Sequence, residues 1–172
     1  MELAEISDGK VGKRQSSDLG PLKLQGISGG KKARNDHIKT TIMALKDKMG
    51  LQQNRLFLVG GSWRALARVD MERRNYPLHV PHEYRMSTQG INETIKLLEA
   101  SDPEKLRRLC HISANRMALL PIACEVLRRL LITFAPKDIA ISSYGLREGL
   151  LFAQMPKKLR DRDPLIEACY FA

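Results

Sequence analysis

Leu56-Phe-Leu-Val-Gly-Gly-Ser-Trp-Arg-Ala-Leu-Ala67 is the stretch that decides the fold. Four apolar residues in a row, closed by a glycine pair, read as a short strand buried on both faces, as in sheets covered by helices. Ser62, directly after Gly60-Gly61, is a natural N-cap for a helix running to about Arg74. A strand that passes through two glycines into a helix brings backbone N–H groups close to an anion. The helix N-terminus adds about half a positive charge. That arrangement suits a phosphate, although a plain tight turn asks for the same glycines on packing grounds alone. Neither a Walker-type Gly-Lys-Ser nor a G-x-G-x-x-G accompanies it.

Outward from this stretch, strands alternate with helices. Glu2-Leu-Ala-Glu-Ile6 alternates apolar with acidic or small residues and reads as a strand entered part-way. Asp8-Gly9-Lys10 is a hairpin turn signal, and a second strand is expected from Val11 towards Leu19. Gly29-Gly30 breaks the chain. A helical stripe follows at Ile38, Ile42, Leu45 and Met49, with Gly50 as its C-terminal cap. Tyr76 to Gly90, polar and holding Pro77 and Pro81, reads as a connecting loop. Ile91, Ile95 and Leu98 mark the next helix, and Asp102 with Pro103 opens another. Pro121 to Phe134 is apolar nearly all round, the pattern of a deeply buried helix. Asp138-Ile-Ala-Ile-Ser142 is another strand, and Gly145 to about Gln154 is helical. Met155 to Pro164 is a charged linker, after which Leu165 to Ala172 begins an apolar element. The order implies a layered α/β sheet.

The 172 residues fit one soluble domain, and 29 Lys plus Arg against 19 Asp plus Glu leave a formal charge of +10. Such a balance favours anionic partners: nucleic acid, a phosphate-rich molecule or polymer, or an acidic membrane surface. Aromatic residues are only 5% of the chain, which argues against platforms for stacking unpaired bases. The longest apolar stretch, Met117 to Phe134, carries Pro121, Glu125, Arg128 and Arg129, so no bilayer span is expected. Cys110, Cys124 and Cys169 are odd in number and widely spaced. They read as reduced thiols filling a core, with a cytoplasmic location expected.

Ser142-Ser-Tyr-Gly-Leu-Arg-Glu-Gly149 repeats the strand–glycine–helix theme. Arg147 offers a bidentate donor pair to a phosphate, or else pairs with its neighbour Glu148. His79-x-x-His82 has a spacing able to share a metal, but no third ligand stands nearby and no metal site is expected. Lys31-Lys-Ala-Arg34 places positive charge at a helix start, against the dipole, so it is a candidate anion-facing patch as well as an ordinary solvated face.

Five ordered segments together resemble the Ppx/GppA family, the exopolyphosphatases and guanosine pentaphosphate phosphohydrolases. Glu2-Leu-Ala-Glu-Ile-Ser-Asp-Gly9 is similar to the strand after that family's D-x-G-G-G-S phosphate loop. Asp18-Leu-Gly-Pro-Leu-Lys-Leu24 resembles its P-L-G-x-x-R-L segment. Leu58 to Ala67 resembles its second glycine-rich loop, Ile112-Ser-Ala-Asn-Arg-Met-Ala118 its I-S-x-x-R-A approach to the buried helix, and Ser142 to Leu151 its S-x-x-G-L-R-E-G-L-L ending. The resemblance implies an α/β fold, the second half of an actin-like, ribonuclease H-like architecture truncated before its first strand. Residues 1–154 would form that partial half-domain, and 155–172 a linker and the start of a helical C-terminal region.

The implied activity is Mg2+-assisted hydrolysis of a terminal phosphoanhydride in polyphosphate or in guanosine pentaphosphate (pppGpp). Glu2 falls where the family has a glutamate associated with the attacking water or metal. Gly60, Gly61 and Ser62 match a phosphate-contacting loop, with Arg64 grouped beside it and Arg147 as a further anion contact. The implied partners are the first half-domain of the same protein, which carries another phosphate loop and the general-base glutamate, and a second copy in a homodimer. Alone, the fragment is expected to be inactive. The alternative is a non-catalytic fragment that binds polyphosphate, an alarmone or nucleic acid through charge.

Overall fold

The computed structural model describes residues 1–50 and 55–162. Strands β1 (Glu2–Ser7) and β2 (Lys10–Ser16) form an antiparallel hairpin. Its turn residues, Asp8 and Gly9, take φ of 51° and 72°, as a primed turn requires. The expected second strand is present but stops at Ser16, short of Leu19. Helices α1 (Pro21–Gln25) and α2 (Gly30–Met49) follow. The α2 stripe Ile38, Ile42, Leu45 and Met49 is buried, and Gly50 ends the helix at φ 78°. Then come β3 (Arg55–Val59), α3 (Gly61–Arg73), β4 (Arg85–Met86), α4 (Thr88–Ala100), α5 (Pro103–Leu109), α6 (Ala114–Phe134), β5 (Asp138–Ser142), α7 (Leu146–Gln154) and α8 (Lys157–Arg160). The expectations for Leu165 to Ala172, Cys169 included, fall outside the described residues.

The second sheet has the order β3-β5-β4. β3 and β5 are parallel, with Val59 opposite Ser142, and β4 lies antiparallel on the other side of β5. Asp138 of β5 joins Arg55 of β3 and Arg85 of β4 across the sheet. Central β5 buries Ile139, Ala140 and Ile141 in succession. β3 lies at the edge and departs from the expectation: Leu58 is buried, but Phe57 and Val59 are 47% and 52% exposed. Side chains alternate along a strand, and the helices cover only the Leu58 side. The segment expected to be a plain loop, Tyr76 to Gly90, holds β4 and the start of α4. Two residues cannot show a periodicity, so β4 is defined by its ladder to β5.

Two hydrophobic clusters meet at α6. Met117, Leu120, Cys124, Leu127 and Leu131 face the second sheet with α3 and α4. Ile122, Val126 and Leu130 face Leu19, Leu24 and the α2 residues Ile38, Ile42 and Leu45, with Met1 and Leu3 of the hairpin end packed against them. The helix begins at Ala114 and carries Pro121 inside, seven residues earlier than the apolar run implied. At the seams, Arg34 grips Glu125 through two bonds of 2.7 and 2.9 Å, and Arg128 holds Glu99. Arg34 is thereby removed from the basic cluster proposed to face an anion. Cys110 and Cys124 are buried free thiols, pushed up to about 11 and about 12 by burial, as core-filling cysteines should be. No helix among the described residues is long and apolar enough to cross a membrane.

Two polar side chains are buried in this interior among the described residues, Asp70 and Thr94. Asp70 of α3 is 1% exposed and accepts from Tyr84 Oη at 2.7 Å, Thr94 Oγ1 at 2.6 Å and Arg73 Nη2 at 2.7 Å. It ties α3 to α4 and to the segment before β4. A buried carboxylate is tolerable only when so many donors replace its water. Burial first, and the Asp70 carboxylate second, push the Tyr84 hydroxyl from 10.0 up to about 12.

A raised folded value means that the group stabilises the fold fully below the unfolded value and stops doing so as pH climbs through the folded one. Denaturant melts between pH 8 and 12.5 should therefore show stability falling from about pH 9 to about 12, and Tyr84→Phe should reduce that fall, leaving the share of the Cys110 and Cys124 thiols that burial also raises. Asp70→Ala, which strands Tyr84, Thr94 and Arg73, should cost about 3–5 kcal/mol at pH 7.

Candidate functional site

Parallel neighbours in a sheet end on the same side, and in open α/β sheets ligands gather at those carboxyl ends. Here the pairing of Val59 with Ser142 sets two glycine turns next to each other. One runs Gly60-Gly61-Ser62 into α3; the other runs Ser142 to Gly145 into α7. The sequence marks both turns, and the sheet brings them together.

Gly60 takes φ 132° and ψ 170°, a conformation left essentially to glycine. It is the N-cap of α3. Ser62, expected in that role, lies in the first turn, and no side-chain cap bond is made. Gly60 turns the chain early, so the helix starts before Ser62 can act. The first bond of the helix runs from Arg64 N to Gly60 O at 3.2 Å. The N–H groups of Gly61, Ser62 and Trp63 precede it and have no partner within the helix. Arg116, from the first turn of α6, reaches this turn. Its Nε, Cζ and Nη2 lie 2.8, 3.0 and 3.0 Å from where a Cβ on Gly61 would stand. Among the described residues Arg116 has no hydrogen bond or carboxylate partner, so a free guanidinium lies beside Gly61 at the start of α3. The sequence signal for it was the Ile112–Ala118 segment, in which Arg116 had been given no role.

Arg64 joins the two turns by donating from Nη1 to Ser143 O at 3.3 Å. In the second turn Ser142 Oγ receives Tyr144 N at 3.1 Å, and Ser143 N donates to His82 Nδ1 at 3.2 Å. The His82 and Tyr144 rings stack, 4.3 Å apart. Gly145 N donates to Glu148 Oε2 at 2.7 Å. The N–H groups of Glu148 itself and of Gly145, then Arg147 and Arg64, hold that carboxyl below its ordinary value. Glu148 thus caps α7 and makes no hydrogen bond with Arg147, which stays exposed beside the turn with no hydrogen bond among the described residues.

Glu2 belongs to the other sheet. It is exposed and accepts from Ser16 Oγ at 3.3 Å, and no hydrogen bond or ion pair links it to the glycine turns. Among the described residues no three His, Cys, Asp or Glu side chains converge on a common point. The chemistry within reach of the turns is therefore donation to an anion by backbone amides, the Ser62 hydroxyl and the guanidinium groups of Arg116, Arg64 and Arg147.

The model of the Ppx/GppA phosphatase family matches residues 1–158. No curated protein matches. Among solved structures, the chain is similar to the Aquifex aeolicus Ppx/GppA phosphatase, type II variant, at 18% identity and a TM-score of 0.72, covering 90% of this chain and 53% of that one. It is also similar to an exopolyphosphatase from Cytophaga hutchinsonii at 16% identity and a TM-score of 0.74, covering 88% and 52%. The chain spans about half the length of these structures, and the likeness shows a shared fold.

The Gly60 geometry is directly testable. Gly60→Ala forces a Cβ onto a glycine-only backbone and should cost about 1–3 kcal/mol in denaturant melts. Gly61→Ala meets only the mobile end of Arg116, so it should change stability less while displacing the guanidinium, visible as a shift of the Arg116 Nε–H resonance.

Proposed function

The chain belongs to the Ppx/GppA phosphatase family, and on that premise we propose that it is the phosphate-gripping part of a phosphoanhydride hydrolase acting on polyphosphate or guanosine pentaphosphate. The observation that carries this reading is the adjacency of two glycine turns at the ends of β3 and β5, with unpaired Arg116 lying across Gly61. A terminal phosphate held there meets the amides of Gly61, Ser62 and Trp63, the Ser62 hydroxyl and the positive end of α3. Arg116 supplies a planar, permanently charged fork, with Arg64 and Arg147 beside it. These donors neutralise oxygens that gain charge as the bond between water and phosphorus forms and the bridging P–O bond breaks.

Within this reading, Glu2 positions the attacking water or takes its proton, and an actin-like half-domain facing this one completes the cleft, in a protein that dimerises. The chain's coverage of about half of the matched structures supports such a division. The implied Mg2+ finds no cluster of three or more ligating side chains among the described residues. These residues do not build its site, and no step is assigned to it. For this chain by itself, the placement of Glu2 in the separate hairpin favours the second reading, binding of a polyanion without hydrolysis.

Calorimetry with tripolyphosphate tests the grip. The 172-residue chain should bind it with an affinity that falls as salt rises, and Arg116→Ala should weaken binding roughly tenfold or more, the loss of a charge-assisted hydrogen bond. Undiminished binding by Arg116→Ala would remove the site from these turns. In a longer form with both half-domains, Glu2→Gln should leave tripolyphosphate binding in place and sharply reduce phosphate release.

A further inference from the structure

Beside the second turn, the ladder between β5 and the β4 side continues past β4 itself. Ile141 N donates to Tyr84 O at 3.0 Å, and Glu83 N donates to Ile141 O at 2.9 Å. One step on, Ser143 N requires the next acceptor, and the backbone does not offer it. Glu83 stands at φ 57°, inside a turn closed by Tyr84 N to Pro81 O at 3.2 Å, and there the chain leaves the ladder. A left-handed backbone at a glutamate is uncommon and costs energy. The missing acceptor is a side chain: His82 Nδ1 receives Ser143 N–H at 3.2 Å, while the ring lies on Tyr144 with its plane tilted 32°.

We propose that His82 is a positioning residue for the phosphate site, its neutral ring standing in for a strand carbonyl and fixing the Ser142–Gly145 turn against the Gly60–Ser62 turn. The proposal rests on reading those turns as a phosphate site. Ser143 is the link, because its N–H is held by His82 and its carbonyl receives Arg64 Nη1 from α3. Through that residue the imidazole sets where the Arg64 fork stands and where α7 begins. The role demands one tautomer, with the Nδ1 lone pair free and the proton on Nε2. A ring protonated on Nδ1 turns N–H toward N–H and loses the bond. The charged groups around the turn are Glu83, paired with Arg85 on the His82 loop, Arg64 from α3, and Arg147 and Glu148 from α7, the last bound to Gly145 N.

Three substitutions separate positioning from mere bulk. His82→Asn places an amide oxygen close to where Nδ1 stands and cannot titrate; His82→Gln and His82→Ala leave that place without an acceptor. Amide spectra of the 172-residue chain follow Ser143 from pH 8 to pH 5 and show that each variant is folded, while calorimetry measures tripolyphosphate affinity. The Ser143 amide of the unaltered chain should move as the pH falls, and that of His82→Asn should stay in place. At pH 8, His82→Asn should keep the original affinity, and His82→Gln and His82→Ala should lose about tenfold. Between pH 8 and 5, the unaltered chain should lose about tenfold more than His82→Asn, which corrects for protonation of the tripolyphosphate itself. Equal affinities and equal pH profiles for Asn and Gln, or a Ser143 amide indifferent to pH in the unaltered chain, would overturn the proposal. A Ser143 amide that follows pH in a chain binding no tripolyphosphate at any pH would instead overturn the phosphate-site reading, and the positioning role with it.

Discussion

Helix α6 presents Met117, Leu120, Cys124, Leu127 and Leu131 to one hydrophobic cluster and Ile122, Val126 and Leu130 to another, so water is excluded from most of its circumference. Each large apolar side chain so buried contributes about 1.5–3 kcal/mol. Together those on α6 equal or exceed the net stability of a typical domain, about 5–15 kcal/mol. The hairpin with α1 and α2 on one side, and the sheet with α3 and α4 on the other, each use this helix as the far wall of their own core. Neither unit buries its apolar face without it. The ion pairs Arg34–Glu125 and Arg128–Glu99 lie at the seams, where they fix the rotation of the helix more than they stabilise it.

That rotation matters for the site. Arg116 stands one residue before buried Met117, at the N-terminal end of the sheet-facing stripe. With the stripe locked into the cluster, the direction of the Arg116 side chain is restricted to the Gly61 side. α3 is anchored at its other end by Asp70, whose bonds to Tyr84 and Thr94 hold it to the β4 segment and to α4. The amides at its start are thus presented by a helix fixed at both ends, and the second turn is fixed by its place on β5. Donors on loops gain precision when rigid elements hold both flanks.

What the sequence made legible was local. The α2 stripe, the Asp8-Gly9 turn, the Asp102-Pro103 helix start and strand β5 each follow from neighbours within a few positions. Two misreadings were also local: Pro121 looked like the beginning of a helix and Ser62 like a cap. A proline inside a helix costs about 3 kcal/mol or more, which a helix buried on two faces offsets, so the usual inference from proline fails there. At α3, glycine conformation displaced serine chemistry. Other features were beyond any local reading. Thr94 lies 24 residues from Asp70, and His82 lies 61 from Ser143. Both turns were individually visible as glycine turns between a strand and a helix, but their adjacency depends on β3 meeting β5, with Arg55 opposite Asp138. Glu148 stood in plain sight three residues after Gly145, yet a glycine N-cap offers no side chain to complete the usual pattern.

A formal charge of +10 points to an anionic partner without saying where it binds. Part of that charge is neutralised locally. Arg34, Arg55, Arg73, Arg85, Arg107, Arg108 and Arg128 all lie against carboxylates. Their charge is spent inside the fold. Among the described residues Arg116 and Arg147 flank the glycine turns without such partners, so positive charge remains uncompensated there. The carboxylates tell the complementary story. Asp70 is enclosed by donors and Glu148 caps α7, which removes both as bases, while Glu2 sits in the other sheet. Turns rich in donors and poor in free carboxylate suit an anion better than a cation. Removing a proton from water needs a free base, and among the described residues these turns place none beside the guanidinium groups.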